Sequence, residues 1–191
     1  MAHQVSSDPR ALGLGGQKVF ATALFTDIAD FTTLSESMSA EDVTHMLNEY
    51  FSEVVDSMFE SKGTLIKFIG DAVFALWGAP VKLENHAEAA LQAAAQLHER
   101  IEKSEALKKY PALHTRIGIH SGLMVVGNLG SKKRFDFTAI GDSVNLLLEY
   151  ESDLERHGEC YATIDGTAYT MLTRSQKGKT VVPNSPSGTY D

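Results

Sequence analysis

The strongest local signal in the sequence is that of a tight β-hairpin. Two apolar runs rich in β-branched and aromatic residues, Thr64 to Ile69 and Ala72 to Trp77, flank the pair Gly70-Asp71. A two-residue loop that begins with glycine is typical of a primed hairpin turn, because glycine adopts positive φ at little cost. Lys67 within the first strand and Asp71 at the tip place two charges in this apolar hairpin. Since a buried, unpaired charge is costly, each needs a partner or a ligand.

The segments before and after the hairpin alternate between strands and amphipathic helices. The continuous apolar run from Val19 to Ile28 predicts a buried strand that ends at Asp27. Apolar residues recur at helical spacing from Val43 to Phe59, and a second helix is predicted from Glu84 to about Leu107. Further elements are predicted downstream: strands His114 to His120 and Leu123 to Asn128 around Ser121-Gly122, an apolar stretch Phe135 to Ile140, a helix from Gly141 to about His157, and a last strand Cys160 to Ile164.

This order of elements predicts the fold class. Strand, helix, strand, strand, helix, strand is a split βαβ arrangement. We therefore expect an α+β fold with a ferredoxin-like βαββαβ core, in which an antiparallel sheet carries helices on one face. The other face of the sheet remains open to a substrate or a second subunit.

Length and composition restrict the domain organisation and the partners. At 191 residues and 43% hydrophobic, the chain is long enough for one sizeable core and short for two. We expect a flexible leader or linker over 1–18, one domain over 19–174 and a loose tail over 175–191. The net charge of −8 disfavours nucleic acid as a partner, and a polyanionic substrate would need bridging cations or a local basic cluster. No apolar run approaches the ~18 residues of a membrane span.

Two aspartates are placed where they can act together. Asp27 ends the first central strand and Asp71 is at the neighbouring hairpin tip, so the pair is able to hold two divalent ions for an in-line phosphoryl displacement. Aspartate is also common in turns, and topology alone does not separate these alternatives. Amides from Ala29 to Phe31, at the start of the next helix, are candidate phosphate ligands. Arg116 is a further candidate, and a paired strand arginine is the alternative interpretation.

Five segments together resemble the class III nucleotidyl cyclase catalytic domain. Their order and the separation of 44 positions between Asp27 and Asp71 make the resemblance specific, and it runs from about Phe20 to Asn145. The segments are Phe25-Thr26-Asp27-Ile28-Ala29-Asp30-Phe31-Thr32, Lys67-Phe68-Ile69-Gly70-Asp71-Ala72, Arg116-Ile117-Gly118-Ile119-His120-Ser121-Gly122, Gly127-Asn128-Leu129-Gly130, and Asp136-Phe137-Thr138-Ala139-Ile140-Gly141-Asp142-Ser143-Val144-Asn145.

The resemblance implies a role for each matching residue. The metal ligands for two Mg²⁺ or Mn²⁺ ions would be Asp27, Asp71 and the Ile28 carbonyl. The catalytic residues would be Arg116, which grips the terminal phosphates, and Asn145, which orients the ribose. The substrate-binding residues would be Ala29, Asp30, Phe31 and Thr32 near the phosphates, and Lys67 and Thr138 on the base. An ammonium has only donors, so Lys67 suits N1 of adenine, which is an acceptor, and disfavours guanine.

The implied activity is that of an adenylyl cyclase. The ribose 3′ oxygen of ATP would attack the α-phosphorus to give 3′,5′-cyclic AMP and pyrophosphate. In this family the site lies between two catalytic domains, which implies a homodimer. The expected setting is signal transduction by a cytoplasmic catalytic domain, with a regulatory domain upstream in the full-length protein and membrane attachment left open.

One position departs from the family pattern. The family has an arginine four residues after the asparagine that corresponds to Asn145, and this sequence has Glu149. A carboxylate there would repel the transferring phosphate, and loss of one transition-state donor typically costs ~10²–10³ in rate. The alternative is therefore a catalytically weak or inactive homologue that binds ATP and metal or pairs with a partner domain.

Overall fold

The computed structural model describes residues 14–131 and 133–145, and the backbone of 160–164, 167–171 and 181–183. The elements follow the chain in an order that contains the predicted core. They are β1 (Gly15–Ile28), α1 (Phe31–Glu36), α2 (Ala40–Glu60), β2 (Thr64–Ile69), β3 (Ala72–Trp77), α3 (His86–Lys103), a 3-10 turn (Leu107–Lys109), β4 (Thr115–Ser131), β5 (Arg134–Ile140), β6 (Cys160–Ile164), β7 (Thr167–Met171) and β8 (Val181–Pro183).

The strands form one sheet in the order β2-β3-β1-β4-β6-β7-β8, with β5 pairing to β4 off this path. All pairings are antiparallel except that of β4 with β6, which is parallel. The α+β prediction is confirmed. β1 is flanked on both sides, so a residue at its end lies in the middle of the sheet.

The hairpin of β2 and β3 has the predicted bounds. Gly70 has φ 63 at the turn, the conformation for which glycine is suited. A register shift between Leu65 and Lys67 marks a bulge in β2. Beyond it Lys67 lies opposite Phe74, and directly opposed residues in a sheet share a face.

Strand alternation divides the core into two clusters. Leu24 and Ile28 pack with α2 and α3 on one face, in a cluster that includes the fully buried Trp77. Ala23 and Phe25, the alternate residues of β1, belong to a second cluster on the opposite face together with Phe74. Asp27 follows in this alternation, and so it lies on the face away from the helices.

Three sequence predictions need correction. The predicted turn at Ser121-Gly122 is wrong, because β4 runs through it without a break from Thr115 to Ser131. β1 begins at Gly15 rather than Val19, since its first residues pair with Asn128 and Gly127 of this long strand. β6 is followed by β7 and β8, so it is not the last strand.

Two boundaries also differ from expectation. The helix predicted to reach Leu107 ends at Lys103, and a separate 3-10 turn follows. β8 falls inside the segment 175–191, where no strand is predicted, because three residues at a sheet edge leave no periodic pattern. None of the helices in the described part of the chain combines the length and apolarity needed to span a bilayer.

Candidate active site

Arg116 and Asp27 form a nearly buried ion pair on the open face of the sheet. They are register partners in β4 and β1. Arg116 Nε donates to Asp27 Oδ1 at 2.8 Å, and Nη2 donates to Oδ2. The side chains are 13% and 8% exposed. The guanidinium therefore compensates the charge of the carboxylate that the sequence predicts as a metal ligand, and the paired-arginine interpretation describes this arrangement.

Asp71 reaches the same place from the hairpin tip. Its Oδ2 accepts from the Ile28 amide at 3.0 Å. Burial raises the pKa of the Asp71 carboxyl. The hydrogen bond from the Ile28 amide lowers this pKa and so offsets part of the rise. The structure thus brings together the two aspartates that lie 44 positions apart in the sequence.

The Ile28 carbonyl is directed toward the same side. Ala29 donates its amide proton to the His114 carbonyl at 2.8 Å, on the side of β4. In a trans peptide the carbonyl points opposite to the N–H, so the Ile28 carbonyl points to the side of β3, where Asp71 lies. Asp71 and the Ile28 carbonyl thus lie on the β3 side of the strand end, next to Asp27.

This donor set fits a magnesium or manganese site that is completed by a nucleotide. Mg²⁺ is commonly bound by one or two carboxylates together with substrate phosphates rather than by an all-protein cage. The described residues hold no group of three or more His, Cys, Asp or Glu side chains able to bind a metal. Oxygen ligands alone also favour hard cations over zinc.

A buried hydroxyl network supports the Asp27 carbonyl, and no sequence pattern indicates it. Tyr50 of α2 is fully buried, and its hydroxyl lies 2.8 Å from both Thr26 Oγ1 and Thr115 Oγ1. Burial raises the pKa of Tyr50 above its ordinary range, so the phenol stays protonated. In the sequence Tyr50 appears only as one member of an apolar helix stripe.

The residues after Ile28 are placed differently from what the sequence suggests. Ala29 gives its amide proton to His114, so this amide is already engaged. Asp30 occupies the N-cap of α1 with φ 53 and makes no side-chain cap bond. Phe31 packs against the helix-side core, and Thr32 is exposed.

The three residues predicted for the nucleoside lie next to members of the second apolar cluster. Ile66 precedes Lys67, Phe137 and Ala139 flank Thr138, and Val144 precedes Asn145. All four of these apolar residues belong to or pack against that cluster. The backbones of Lys67, Thr138 and Asn145 therefore lie beside one core, and strand alternation places Thr138 on the face opposite that of Phe137 and Ala139. Glu149 lies outside the described residues.

Gly122 allows the helix start that carries Asn145 to rest on β4. Ser143 Oγ donates to the Leu123 carbonyl at 3.3 Å, and the Asn145 amide donates to the Gly141 carbonyl at 3.0 Å. A Cβ at Gly122 would lie 2.1 Å from Ser143 Oγ and 3.0 Å from its Cβ. Gly122 is therefore required for the close approach of Ser143 to β4. The sequence predicts a turn at this glycine instead.

Gly122→Ala is expected to destabilise the protein by about 1–3 kcal/mol, because the added methyl group must push Ser143 away. Adding Ser143→Ala should recover part of this loss, since the 2.1 Å contact disappears with the hydroxyl. Urea unfolding of both variants measures the effect. A single variant as stable as wild type would contradict the close approach.

Comparison with known proteins assigns the family. The sequence matches the family model "Adenylate and Guanylate cyclase catalytic domain" over residues 17–180. It is 44% identical over 140 residues to Adenylate cyclase 1 of Rhizobium meliloti (strain 1021), a match that covers 72% of this chain and 21% of that protein. The chain belongs to the class III adenylate and guanylate cyclase catalytic domain family, which confirms the resemblance in the sequence.

Solved structures of an adenylyl cyclase and of a guanylyl cyclase both share the fold of this chain. The adenylyl cyclase CyaB from P. aeruginosa superposes with a TM-score of 0.70 at 32% identity, over 80% of this chain and 81% of that one. The guanylyl cyclase Cya2 gives a TM-score of 0.71 at 26% identity, over 89% and 91% of the two chains. The likeness therefore establishes the nucleotidyl cyclase fold. It does not distinguish adenine from guanine as the base of the substrate.

Proposed function

We propose that this chain is the catalytic domain of an adenylyl cyclase that converts ATP to 3′,5′-cyclic AMP and pyrophosphate at a homodimer interface. The observation that carries the proposal is the convergence of Asp27 and Asp71 on the Asp27-Ile28 peptide, beside Arg116. The 44% sequence identity with Adenylate cyclase 1 of Rhizobium meliloti supports the assignment of adenylyl cyclase activity. The chain spans about a fifth of that protein, 21% of its length.

The residues of the site divide the work of the reaction. Asp27, Asp71 and the Ile28 carbonyl would hold two Mg²⁺ or Mn²⁺ ions. When bound, such ions lower the pKa of the attacking hydroxyl and neutralise charge on the leaving phosphate. Arg116, once Asp27 has another counter-charge, is placed to donate to the terminal phosphates. Ala29, Asp30, Phe31 and Thr32 follow the Ile28 ligand in the chain, and we assign them to the phosphates through the amides at the start of α1.

The nucleoside would be held around the second apolar cluster. Asn145 would orient the ribose so that its 3′ hydroxyl releases its proton to solvent and its oxygen bonds to the α-phosphorus, while the bond from that phosphorus to the pyrophosphate oxygen breaks. Lys67 donates to N1 of adenine, and the Thr138 hydroxyl accepts from the exocyclic amine. Guanine carries a hydrogen on N1, which would face the donor of Lys67.

Lys67→Glu is expected to lower the ratio of kcat/KM for ATP to that for GTP by at least about tenfold, the equivalent of one hydrogen bond of ~1.4 kcal/mol. A carboxylate accepts from the N1 hydrogen of guanine and repels the N1 lone pair of adenine. Lys82→Glu, at an exposed lysine outside the hairpin, is the control for the change of charge. An unchanged ratio in Lys67→Glu would remove the base-reading role.

The placement of Lys67 supports a site shared between two chains. Lys67 lies opposite Phe74, which lies opposite Phe25, two residues before Asp27. Strand geometry therefore separates the Cα atoms of Lys67 and Asp27 by ~12 Å. The stacked rings of Phe25 and Phe74, 4.4 Å apart, occupy the same face between them. A nucleotide bound by Asp27 of one protomer and Lys67 of its partner avoids this obstruction.

The family assignment also suggests a biological role for the domain. We place it in signal transduction, as a cytoplasmic domain under the control of a regulatory domain upstream in a longer protein. A light-regulated bacterial adenylyl cyclase, of which the matched region is 45%, has a TM-score of 0.71 to this chain.

The test is turnover of ATP and of GTP, each with Mn²⁺ and with Mg²⁺, over a range of protein concentrations. Cyclic AMP formation that rises more than linearly with concentration is the expected result. Glu149 motivates the alternative of a weak or inactive homologue. A folded protein that binds ATP with metal and forms no cyclic nucleotide would establish that alternative instead.

A further inference from the structure

One peptide unit connects the two proposed metal-binding side chains. The Asp27-Ile28 peptide carries Asp27 on one side, and its N–H donates to Asp71 Oδ2 at 3.0 Å. Its carbonyl accepts from Thr115 Oγ1 at 3.1 Å and from the Tyr50 hydroxyl at 3.3 Å. The orientation of this peptide therefore determines where Asp71 docks and how the backbone of Asp27 is held.

The hydroxyl protons are sufficient to hold that carbonyl. Tyr50, Thr26 and Thr115 supply three protons, and the hydroxyls of Thr26 and Thr115 are 2.9 Å apart. If Tyr50 and Thr115 each donate to the Asp27 carbonyl, the proton of Thr26 bonds to one of the other two hydroxyls. Every proton has an acceptor in this arrangement, and the two bonds to the Asp27 carbonyl oppose rotation of the peptide.

Tyr50 is the member of the network that comes from a helix. Thr26 and Thr115 stand on β1 and β4, whereas Tyr50 brings α2 into contact with the strand end. Its ring fills the helix-side core, a task that phenylalanine would perform equally well. The hydroxyl is the part of Tyr50 that core packing does not require.

We propose that Tyr50 is a positioning residue that fixes the Asp27-Ile28 peptide and thereby sets the affinity of the site for divalent cations. This inference rests on the proposed function, since it assumes that Asp27 and Asp71 bind metal. Groups that orient metal ligands without contacting the metal typically contribute 10- to 100-fold to metal affinity. Tyr50→Phe is expected to weaken Mn²⁺ binding within that range.

The test measures Mn²⁺ binding directly, by electron paramagnetic resonance of free Mn²⁺, in the presence of a non-cyclisable ATP analogue. Ser57→Ala is the matched control, because Ser57 is a buried hydroxyl two turns along the same helix face that bonds only to the Val54 carbonyl. A merely structural role would make both variants less stable to urea without a change in Mn²⁺ affinity. Mn²⁺ binding by Tyr50→Phe within twofold of Ser57→Ala overturns the inference.

A second variant keeps the test valid if Tyr50→Phe folds poorly. Thr115→Val removes the other donor to the Asp27 carbonyl and should weaken Mn²⁺ binding in the same direction. Asp71→Asn distinguishes failure of the proposed metal site from failure of the role proposed for Tyr50. If it binds Mn²⁺ as wild type does, the metal site and this inference both fail; if it loses Mn²⁺ while Tyr50→Phe and Thr115→Val retain it, only the inference fails.

Discussion

Asp71→Asn is expected to abolish cyclic nucleotide formation while leaving the folded protein at least as stable as wild type. Removing a metal ligand should cost more than the ~10²–10³ in rate that follows loss of a single transition-state donor. The fold should tolerate the change because the asparagine oxygen still accepts from the Ile28 amide, which now bonds to Asp71 Oδ2.

The stability effect of this substitution has a defined pH dependence. Burial raises the pKa of Asp71 above its ordinary value of 3.8, so the folded state binds this proton more tightly than the unfolded chain. The contribution of this proton to folding stability is therefore fully present below pH 3.8 and is lost as the pH rises through the raised pKa. Asparagine does not titrate, so Asp71→Asn should gain stability relative to wild type over the same rise.

Two measurements check the prediction, cyclic AMP formation and urea unfolding between acidic and neutral pH. Asp56→Asn removes an exposed carboxylate on α2 and should change neither. Turnover by Asp71→Asn within tenfold of wild type would contradict the metal role. A loss of stability at neutral pH would show that the carboxylate charge, rather than its hydrogen bond, holds the hairpin tip.

Arg116→Met should destabilise the protein by about 3–5 kcal/mol in the presence of a chelator. The guanidinium pairs with an Asp27 side chain that is only 8% exposed, and removal of one partner leaves a buried charge without compensation. A divalent cation on Asp27 replaces the lost positive charge. Mn²⁺ is therefore expected to stabilise Arg116→Met more than it stabilises wild type, in which the metal must displace the arginine.

Urea unfolding with chelator and with Mn²⁺ tests this exchange. The control is Lys103→Met, which breaks the pair with Glu99 at a lysine that is 71% exposed. Such pairs contribute about 0–1 kcal/mol, and Mn²⁺ should not alter the effect. Equal stabilisation of wild type and Arg116→Met by Mn²⁺ would show that arginine and metal do not compete for Asp27.

Local sequence signals were sufficient for the elements that local physics determines. The hairpin strands have their predicted ends because alternating apolar runs and a glycine turn specify both. α2 also follows its apolar periodicity, and Ser39 caps it through the Asp42 amide. These features need only contacts between residues close in sequence.

Contacts between distant residues account for the errors. Ser121-Gly122 has the composition of a turn, yet Gly122 is small because Ser143, from a later part of the chain, rests against it. The role of Tyr50 depends on Thr26 and Thr115, which are 24 and 65 positions away. Helical periodicity reports that Tyr50 faces the core and carries no information on what its hydroxyl meets there.

The long first strand has a mechanical consequence. β1 is hydrogen-bonded to β4 along its whole length and to β3 over its second half, from Thr22 to Thr26. A slip of one residue would turn every side chain to the opposite face, so that Thr26 would replace Asp27 beside Arg116. The strand therefore resists small sliding movements, and a force applied near Gly15 would be transmitted to the far end as the displacement of a rigid rod. The carboxylate at Asp27 is either in register with its surroundings or absent from the site altogether.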